Sequence, residues 1–526
     1  MMKNILVISL MLFSVNAFAQ HQSGIDVVNY QFNISLTDAS DTIDCRAIIN
    51  LKVLNGTGKI DLDLVSINGT GKGMKVNSVW DEQTNQPLSY SHSNDVLHIN
   101  NNDNTTRNKI IGISYKGIPA DGLIISKNKY NQRTFFSDNW PNRARNWLAC
   151  HDQPSDKASV DFIITAPVRY QVVSNGGLTE ETNLNDLFKL THWHESVDLP
   201  TKVMGIGVAE FAVNYAGNVG NVPVYSWVYP ADRENGFGDY AVATQILPFF
   251  INNIAAYPYT KLANVQSKTI FGGMENAGAI FYSENSVTGN HKTEKIMAHE
   301  IAHQWFGNMI TESDWAHLWL SEGFATYFSE LYLESKYGRD TLLKELIAKR
   351  MKVIDFSKKM QRPVVDSTVT DYMKLLNVNS YDKGAWVLHM LHKQLGDSVF
   401  WKGIRVYYNK YSGKNAATED FRKVMEEVSG MDLEQFFRQW LYTAGQPMLH
   451  IEHNYYNKML TVSITQQQQD LFRFPLTIVI RGTGKDADFT KAFRIDKKIT
   501  SFSLPMENAP ADILIDPFTS LLFEEK

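Results

Sequence analysis

The sequence predicts an α+β protein of several domains, with an antiparallel β domain first, a mainly helical domain next and a small β-sandwich last. Apolar and polar residues alternate over roughly the first two hundred residues and again over roughly the last eighty, which is the period of half-buried strands. Helical character dominates between them, from Asp232 to Tyr257 and from beyond Gly272 to about Ala444. A chain of 526 residues also exceeds what one hydrophobic core usually serves.

Residues 1–19 have the pattern of a signal peptide. Lys3 gives a weakly positive start, an apolar run of eleven residues extends from Ile5 to Val15, and Ala17-Phe18-Ala19 forms a small-x-small cleavage site. The run is shorter than the roughly 20 apolar residues that cross a bilayer as a helix. We therefore expect an exported protein, periplasmic or secreted, with no membrane anchor after cleavage.

Composition excludes some classes of partner. The net charge of -5 is small for this length, and 44% hydrophobic with 20% charged residues is ordinary for a globular protein. Neither nucleic acid nor an anionic membrane is therefore expected as a partner. Cys45 and Cys150 are the two cysteines, so the fold cannot depend on a disulfide framework. We expect two buried thiols, although a single bridge between them stays open.

The N-terminal β domain is predicted over residues 20–214. Turn-forming pairs such as Asn68-Gly69 and Asn175-Gly176 separate the alternating segments. The clearest alternating sets are Tyr30, Phe32, Ile34 and Leu36, then Ala47, Ile49, Leu51 and Val53. Such short alternating runs between turns are typical of an antiparallel sheet.

The mainly helical domain is predicted over residues 215–445, after a segment rich in Gly and Asn, and Gly338 is expected to end one of its helices. A Gly and Pro pair near Gln446 marks its end. Alternation then returns over residues 446–526, for example at Leu460, Val462 and Ile464. This last segment is predicted to form a small β-sandwich.

A His-Glu-x-x-His motif at residues 299–303 carries the strongest functional signal. On a helix, His299 and His303 stand one turn apart on one face, where two imidazole nitrogens can bind one metal ion. Glu322 follows His303 by nineteen residues at the start of a second predicted helix, and its carboxylate can be the third ligand. Two histidines and one carboxylate leave the fourth position of zinc open, as in catalytic sites. Glu300 flanks the metal and is the candidate general base.

A second motif, Gly272-Gly273-Met274-Glu275-Asn276, precedes the helix and is predicted to bind substrate. Glycines at 272 and 273 let a peptide backbone approach an extended segment and add to it as a short strand. Glu275 then offers a carboxylate to a free α-ammonium group. Such a contact would position the first peptide bond at the metal.

These motifs, followed by Tyr381-Asp382-Lys383-Gly384, resemble the gluzincin aminopeptidases of the aminopeptidase N and leukotriene hydrolase family, from about residue 25 onward. The resemblance implies a thermolysin-like catalytic domain, one Zn²⁺ per chain and peptides with a free N-terminus as substrates. Many relatives have a large helical C-terminal domain for which this chain has no room. We therefore expect the bacterial secreted type that lacks it.

The resemblance also assigns two further residues. Tyr381 matches the family tyrosine that donates a hydrogen bond to the oxyanion of the reaction. In the loop from Phe136 to Arg145, relatives commonly carry a glutamine and then a glutamate or glutamine where this chain has Asp138 and Trp140. A tryptophan cannot form an ion pair with an ammonium group, so Asp138 is the predicted second anchor for the substrate amine.

The predicted function is hydrolysis of the first peptide bond by a zinc-activated water. Three alternatives stay open: an endopeptidase on the same site, an epoxide hydrolase like the bifunctional leukotriene enzyme, and a non-catalytic peptide-binding scaffold. The first would accept substrates with a blocked amine, which Glu275 should reject. A scaffold would be expected to have lost a ligand or the base, whereas His299, Glu300, His303, Glu322 and Tyr381 are all present. The preferred N-terminal residue and the oligomeric state cannot be deduced from the sequence.

Overall fold

A computed structural model describes residues 24–54, 58–101 and 107–526. The predicted signal peptide, residues 1–19, lies outside these ranges. Within them, a region of β-sheets is followed by a mainly helical region and then by a second region of β-sheets. The predicted α+β architecture of several domains is therefore confirmed.

The N-terminal region consists of β-sheets, as the alternating pattern predicts. Its strands are β1 (Ile25–Ser35), β2 (Ile43–Val53), β3 (Lys59–Asp63), β4 (Gly73–Asp81), β5 (Gln86–Pro87), β6 (Tyr90–Ser93), β7 (Val96–Asn100), β8 (Arg107–Ile118), β9 (Leu123–Lys127), β10 (Arg133–Ser137), β11 (Lys157–Pro167), β12 (Gln171–Ser174), β13 (Gly177–Asn183), β14 (Phe188–Pro200) and β15 (Ile206–Ala209). The sheets have the strand orders β13-β14-β11-β1-β2-β8-β4-β5, β12-β15-β10-β9 and β3-β7-β6. Neighbouring strands are antiparallel apart from β1 and β11, which pair in parallel. These two strands lie far apart in the sequence, so no hairpin forces them to be antiparallel.

A second mixed sheet forms one side of the middle region. Its strands are β16 (Ala212–Val219), β17 (Val222–Val228), β18 (Leu262–Ser267), β19 (Gly273–Met274) and β20 (Ala279–Ser283). The strand order is β16-β17-β18-β20-β19, which leaves β19 at the edge. The predicted boundary between residues 214 and 215 falls inside β16, and the exact domain limits stay a prediction. Two further short strands, β21 (Thr311–Glu312) and β22 (Asn415–Ala416), pair in parallel.

Helices make up the rest of the middle region. They are α1 (Arg233–Ala241), α2 (Ala243–Asn253), α3 (Glu294–His303), α4 (Trp319–Tyr337), α5 (Arg339–Lys359), α6 (Gly384–Leu395), α7 (Asp397–Tyr411), α8 (Thr418–Ser429) and α9 (Glu434–Leu441). Gly338 ends α4 with a positive φ of 90°, as predicted. Every residue of α4 from Trp319 to Leu333 is buried, so this helix runs through the core and fixes the position of Glu322. Among the described helices, none has the length and hydropathy required to cross a membrane.

Short helical turns complete the connections. Single 3₁₀ turns lie at Ala144–Asn146, Thr201–Val203, Pro230–Asp232, Glu284–Ser286, Trp315–His317 and Tyr372–Leu375. A π-helical turn, Asn379–Lys383, precedes α6 directly. Cys45 and Cys150 are buried and unbridged, and burial raises the pKa of the Cys45 thiol to about 12. The two thiols therefore act as core side chains, as expected.

The C-terminal region contains two facing sheets. Its strands are β23 (Met448–Tyr456), β24 (Met459–Gln466), β25 (Phe474–Arg481), β26 (Phe489–Ile495), β27 (Ile499–Pro505), β28 (Asp512–Ile515) and β29 (Glu524–Glu525). They form sheets with the orders β27-β24-β23-β29 and β26-β25-β28. Phe493 of one sheet stacks on Phe502 of the other, with 3.6 Å between ring centroids. Side chains from the facing sides of the two sheets pack against each other, so the C-terminal region is a β-sandwich, as predicted.

Candidate active site

Helices α3 and α4 bring the two histidines and the distal glutamate together, as the motif predicts. The Nε2 atoms of His299 and His303 lie 3.1 Å apart. Oε2 of Glu322 lies 3.3 Å from each of these nitrogens. Three potential ligand atoms from two helices therefore form a nearly equilateral triangle.

The dimensions of this triangle fit a zinc ion. Bonds of about 2.0–2.1 Å in a tetrahedral site separate neighbouring ligand atoms by about 3.3 Å. Glu322 is buried, and its Oε2 faces these two imidazole nitrogens, an arrangement that a cation bound between the three atoms would stabilise. Although burial alone would raise the pKa of Glu322, His303 and His299 hold that pKa well below its ordinary value. The group is thus an ionised oxygen ligand beside two imidazoles.

The orientation of His303 is fixed by contacts behind the ring. Its Nδ1 lies 3.1 Å from the carbonyl oxygen of Phe306 and 3.1 Å from Oγ of Ser321. A proton on Nδ1 that is donated to Phe306 leaves the lone pair of Nε2 free for a metal. Gly307 permits this arrangement because a Cβ at that position would lie 2.3 Å from the Ser321 hydroxyl. Its φ of 114° also favours glycine.

Glu300 lies on α3 between the two histidines and is buried beside the edge strand β19. A Cβ on Gly273 would lie 2.4 Å from Oε1 of Glu300, so the glycine allows the strand to approach the carboxylate. Burial raises the pKa of Glu300, and the neighbouring carboxylates of Glu275 and Glu322 add to the rise. A carboxylate with an elevated pKa is better suited to accept a proton than an ordinary surface glutamate.

The side-chain amides of Gln304 and Asn308, which follow α3 in the sequence, hold residues 272–276 in place. The backbone carbonyl of Glu275 accepts hydrogen bonds from Nε2 of Gln304 at 3.0 Å and from Nδ2 of Asn308 at 2.6 Å. Oε1 of Gln304 in turn accepts the N–H of Gly278 at 2.9 Å. Gln304 was not among the predicted site residues, although its position directly after His303 is a signal that could have indicated it.

Glu275 presents an unpaired carboxylate to the site. Its side chain is buried, and Oε1 has no hydrogen-bond partner in the described part of the chain. Burial raises the pKa of Glu275. Met274 is buried on the same segment, and neither polar side-chain atom of Asn276 has a partner within the described ranges. The edge of β19 therefore carries polar groups that a ligand could satisfy.

Tyr381 comes from the π-helical turn and lies against the histidines. Its ring stacks on that of His299 with 6.0 Å between centroids and 15° between planes. Burial, together with the nearby carboxylates of Glu322 and Glu275, raises the pKa of its hydroxyl well above the ordinary value. The phenol is therefore protonated and can act as a donor. π-helical turns are frequent at functional sites.

Asp138, the predicted second anchor for the substrate amine, is held by contacts within the protein. The side chain is fully buried, and its Oδ1 forms an ion pair with Arg143. Its Oδ2 accepts hydrogen bonds from the hydroxyl of Thr269 at 3.0 Å and from the N–H of Ile270 at 2.9 Å. Both oxygens are thus engaged, and Trp140 of the same loop lines the cavity instead. That Asp138 binds the substrate amine stays a prediction, and these internal contacts weigh against it.

A cavity of about 560 Å³ joins these elements. Its walls include the three potential metal ligands, Glu300, Tyr381 and the segment from Phe271 to Glu275. Trp140 and Leu376 lie at its apolar side. Four lysines also line it: Lys292, Lys295, Lys349 and Lys352. These lysines could not be predicted from the sequence, because the segments that carry them are brought together only by the packing of both α3 and α5 on α4.

A helix-borne pair of histidines with a flanking glutamate, beside the edge of a mixed sheet, is typical of metallopeptidases. Comparison with known proteins identifies the family. Residues 239–440 match the peptidase family M1 domain, and residues 27–203 match the peptidase M1 N-terminal domain. Together these matches cover well over half of the chain, which therefore belongs to peptidase family M1.

Individual relatives agree with this assignment. The chain is 29% identical to glutamyl aminopeptidase of Sus scrofa over 333 residues, which are 60% of this chain and 35% of that protein. It is 29% identical to aminopeptidase M1-C of Oryza sativa subsp. japonica over 327 residues, 59% of this chain and 37% of that protein. Aminopeptidase M1 of Arabidopsis thaliana is similar at 29% identity over 329 residues, 59% of this chain and 37% of that protein. The chain spans about a third of the length of these curated relatives.

Proposed function

We propose that the chain is a zinc-dependent aminopeptidase that hydrolyses the first peptide bond of peptides with a free N-terminus. The observation that carries this proposal is the unpaired carboxylate of Glu275 in the cavity of His299, His303 and Glu322. A buried carboxylate without a partner is costly, and an ammonium group beside it removes that cost. Only the first residue of a peptide brings an α-ammonium to that position. The relatives that are named aminopeptidases support the same conclusion.

His299, His303 and Glu322 would hold the zinc ion. Zinc at this position would lower the pKa of a bound water and polarise the carbonyl of the substrate. Glu300 accepts the proton of the attacking water and passes it to the departing amine, for which its raised pKa suits it. Tyr381 donates a hydrogen bond to the oxygen that becomes negatively charged.

The edge strand β19 supplies the binding surface for the peptide backbone. It pairs with β20 and lies at the end of the sheet, so one of its edges can accept another strand. A substrate extended along Gly272 and Gly273 would bring its first peptide bond past Glu300. Glu275 would fix how far the N-terminus of the peptide enters the cavity. This limit would make the enzyme remove single N-terminal residues and not cleave internal peptide bonds.

The test is hydrolysis of amino-acid anilides beside their N-acetylated forms, with the zinc-loaded full chain. We expect cleavage of the free amines alone, loss of activity with a chelator, and recovery on addition of zinc. The metal content of each sample is measured in parallel. Cleavage of acetylated substrates at comparable rates would indicate an endopeptidase and contradict the role of Glu275. Zinc bound at one ion per chain without any hydrolysis would contradict the proposed activity.

A further inference from the structure

The cavity is lined by side chains of opposite charge. Carboxylates surround the metal ligands and Glu275, whereas the four lysines, here called the lysine end, are Lys292, Lys295, Lys349 and Lys352. We propose that the lysine end binds a carboxylate in the departing part of the substrate. This inference rests on the proposed aminopeptidase function and adds the class of substrate to it.

The edge strand gives the direction of the bound peptide. Its segment begins at Gly272 and reaches Glu275 three residues later. A Cβ on Gly272 would lie 2.7 Å from Cδ1 of Ile296, which belongs to the first turn of α3. Glu275 instead lies at the other end of α3, where Gln304 binds its carbonyl. A peptide held by its amine at Glu275 therefore runs towards the beginning of α3.

The distance to the lysine end suits a short peptide. Lys295 precedes His299 by four residues of α3, which is about 6 Å along the helix axis. An extended peptide covers that distance in about two residues. Lys292 lies in the turn directly before α3, and its flexible side chain also reaches the cavity wall. The carboxyl end of a dipeptide or tripeptide would thus lie among these lysines.

Two of the four lysines are free to bind an anion. Lys349 is already paired with Glu330 at 3.0 Å and with Asp382 at 3.1 Å. Lys295 pairs with Glu345. Lys292 and Lys352 are exposed, and the part of the chain that the structure covers offers neither of them an acidic partner within ion-pair distance.

A polar group of α4 adds to the lysine end. Thr326 lies one turn after Glu322 and lines the same cavity. Its hydroxyl is buried and has no hydrogen-bond partner in the ranges described here. A carboxylate oxygen that reaches this hydroxyl would satisfy it. Lysine charge gives attraction at a distance, whereas a fixed hydroxyl favours one position of the anion.

This charge distribution matches a short peptide that is a zwitterion. Its ammonium would lie beside Glu275 and its carboxylate beside Lys292 and Lys352. The reverse orientation would bring like charges together at both ends, which is unfavourable. A carboxylate can be the C-terminus of the peptide or an acidic side chain in the departing part, and both have the same chemistry.

Matched peptides distinguish these two sources. The first pair is a tripeptide with two glycines after the N-terminal residue, as free acid and as C-terminal amide. The second pair is amidated and differs only in Glu or Gln at the second position. For each peptide, kcat/KM is measured with the wild-type chain. The Kd of each peptide is measured by calorimetry with the zinc-loaded Glu300→Gln chain. We expect the charged member of a pair to be favoured by roughly five- to tenfold at low ionic strength and by less at high salt.

Lysine variants test the location of the binding site. In the double variant Lys292→Met and Lys352→Met, the kcat/KM values of the charged and uncharged members of a pair should differ by no more than about twofold. Lys344→Met is the matched control, because Lys344 is also exposed on α5 but does not line the cavity. It should keep the full preference.

The outcomes separate this inference from the proposed function. A preference for free acid over amide identifies the C-terminal carboxylate, and a preference for Glu over Gln identifies a side chain. Hydrolysis without either preference would overturn the proposed carboxylate site at the lysine end. A preference that survives in the double variant would do the same. In both cases the proposed aminopeptidase activity is unaffected. A lysine-dependent preference in Kd without hydrolysis by the wild-type chain supports the carboxylate site and overturns the proposed activity.

Discussion

Glu275 of the edge strand and Asp138 of the N-terminal loop are both buried carboxylates next to the same cavity. Their partners differ. Asp138 is bound by Arg143, Thr269 and the backbone of Ile270, whereas Oε1 of Glu275 has no partner in the described residues. Asp138 therefore stabilises the contact between the loop and the catalytic region. The carboxylate of Glu275 can still accept a hydrogen bond or form an ion pair with a ligand.

The difference shows that burial alone does not identify a binding carboxylate. Burial raises the pKa of both Asp138 and Glu275, so the pKa does not distinguish them. What distinguishes them is the number of hydrogen bonds that the protein itself supplies. A carboxylate that the fold has left unsatisfied is costly for stability and is retained where a ligand completes it.

Glu300→Gln should have the largest effect on activity, because it removes the group that accepts a proton while leaving the shape of the cavity unchanged. We expect kcat to fall by roughly 10²- to 10⁴-fold. Zinc content should stay at one ion per chain, since Glu300 is not among the three ligand residues. The comparison variant is Glu322→Gln, which should lose zinc as well as activity. A Glu300→Gln chain with near-normal turnover would mean that another group is the base.

Tyr381→Phe should have the next largest effect. Loss of one donor to an oxyanion typically lowers kcat by about 10²- to 10³-fold. The effect on KM should be small, because the ring that stacks on His299 is kept. Tyr411→Phe is the control, since the hydroxyl of Tyr411 at the end of α7 binds Asp420 of α8 and neither residue lines the cavity. Equal rates for the wild type and the Tyr381 variant would remove Tyr381 from the mechanism.

Local periodicity explains why the grouping of the three potential metal ligands could be predicted from the sequence. The period of a helix places His299 and His303 on one face wherever the rest of the chain lies, and Glu322 opens the next buried helix. Alternation likewise predicted the strands of both β regions. The parallel pairing of β1 with β11 could not be predicted, because pairing partners depend on the whole topology.

Long-range packing explains what the sequence could not provide. The role of Asp138 depends on Thr269 and Ile270, which lie about 130 residues further along the chain. The lysine end depends in the same way on the packing of both α3 and α5 on α4. No local pattern distinguishes Lys352 from Lys344, although only Lys352 is among the residues that line the cavity.

Glu275→Gln tests directly whether the unpaired carboxylate of Glu275 binds the substrate amine. We expect kcat/KM for free-amine substrates to fall about 100-fold, because the ammonium group loses a buried ionic partner. The selectivity for free amines over acetylated substrates should shrink by a similar factor. The measurement is a pair of kcat/KM values for the same anilide with and without its acetyl group. Unchanged selectivity would show that the amine is recognised elsewhere.

Asp138→Asn is the matched substitution at the second carboxylate and should have the smallest effect on catalysis. We expect KM for an amino-acid anilide to stay within about twofold, because neither oxygen of Asp138 is available to the substrate amine. Stability should change instead, since removal of one charge leaves Arg143 without its buried partner and costs about 3 kcal/mol. Thermal unfolding and anilide kinetics on the same sample separate the two effects. A large rise in KM with unchanged thermal stability would support Asp138 as an amine anchor, and the number of internal partners would then no longer distinguish it from Glu275.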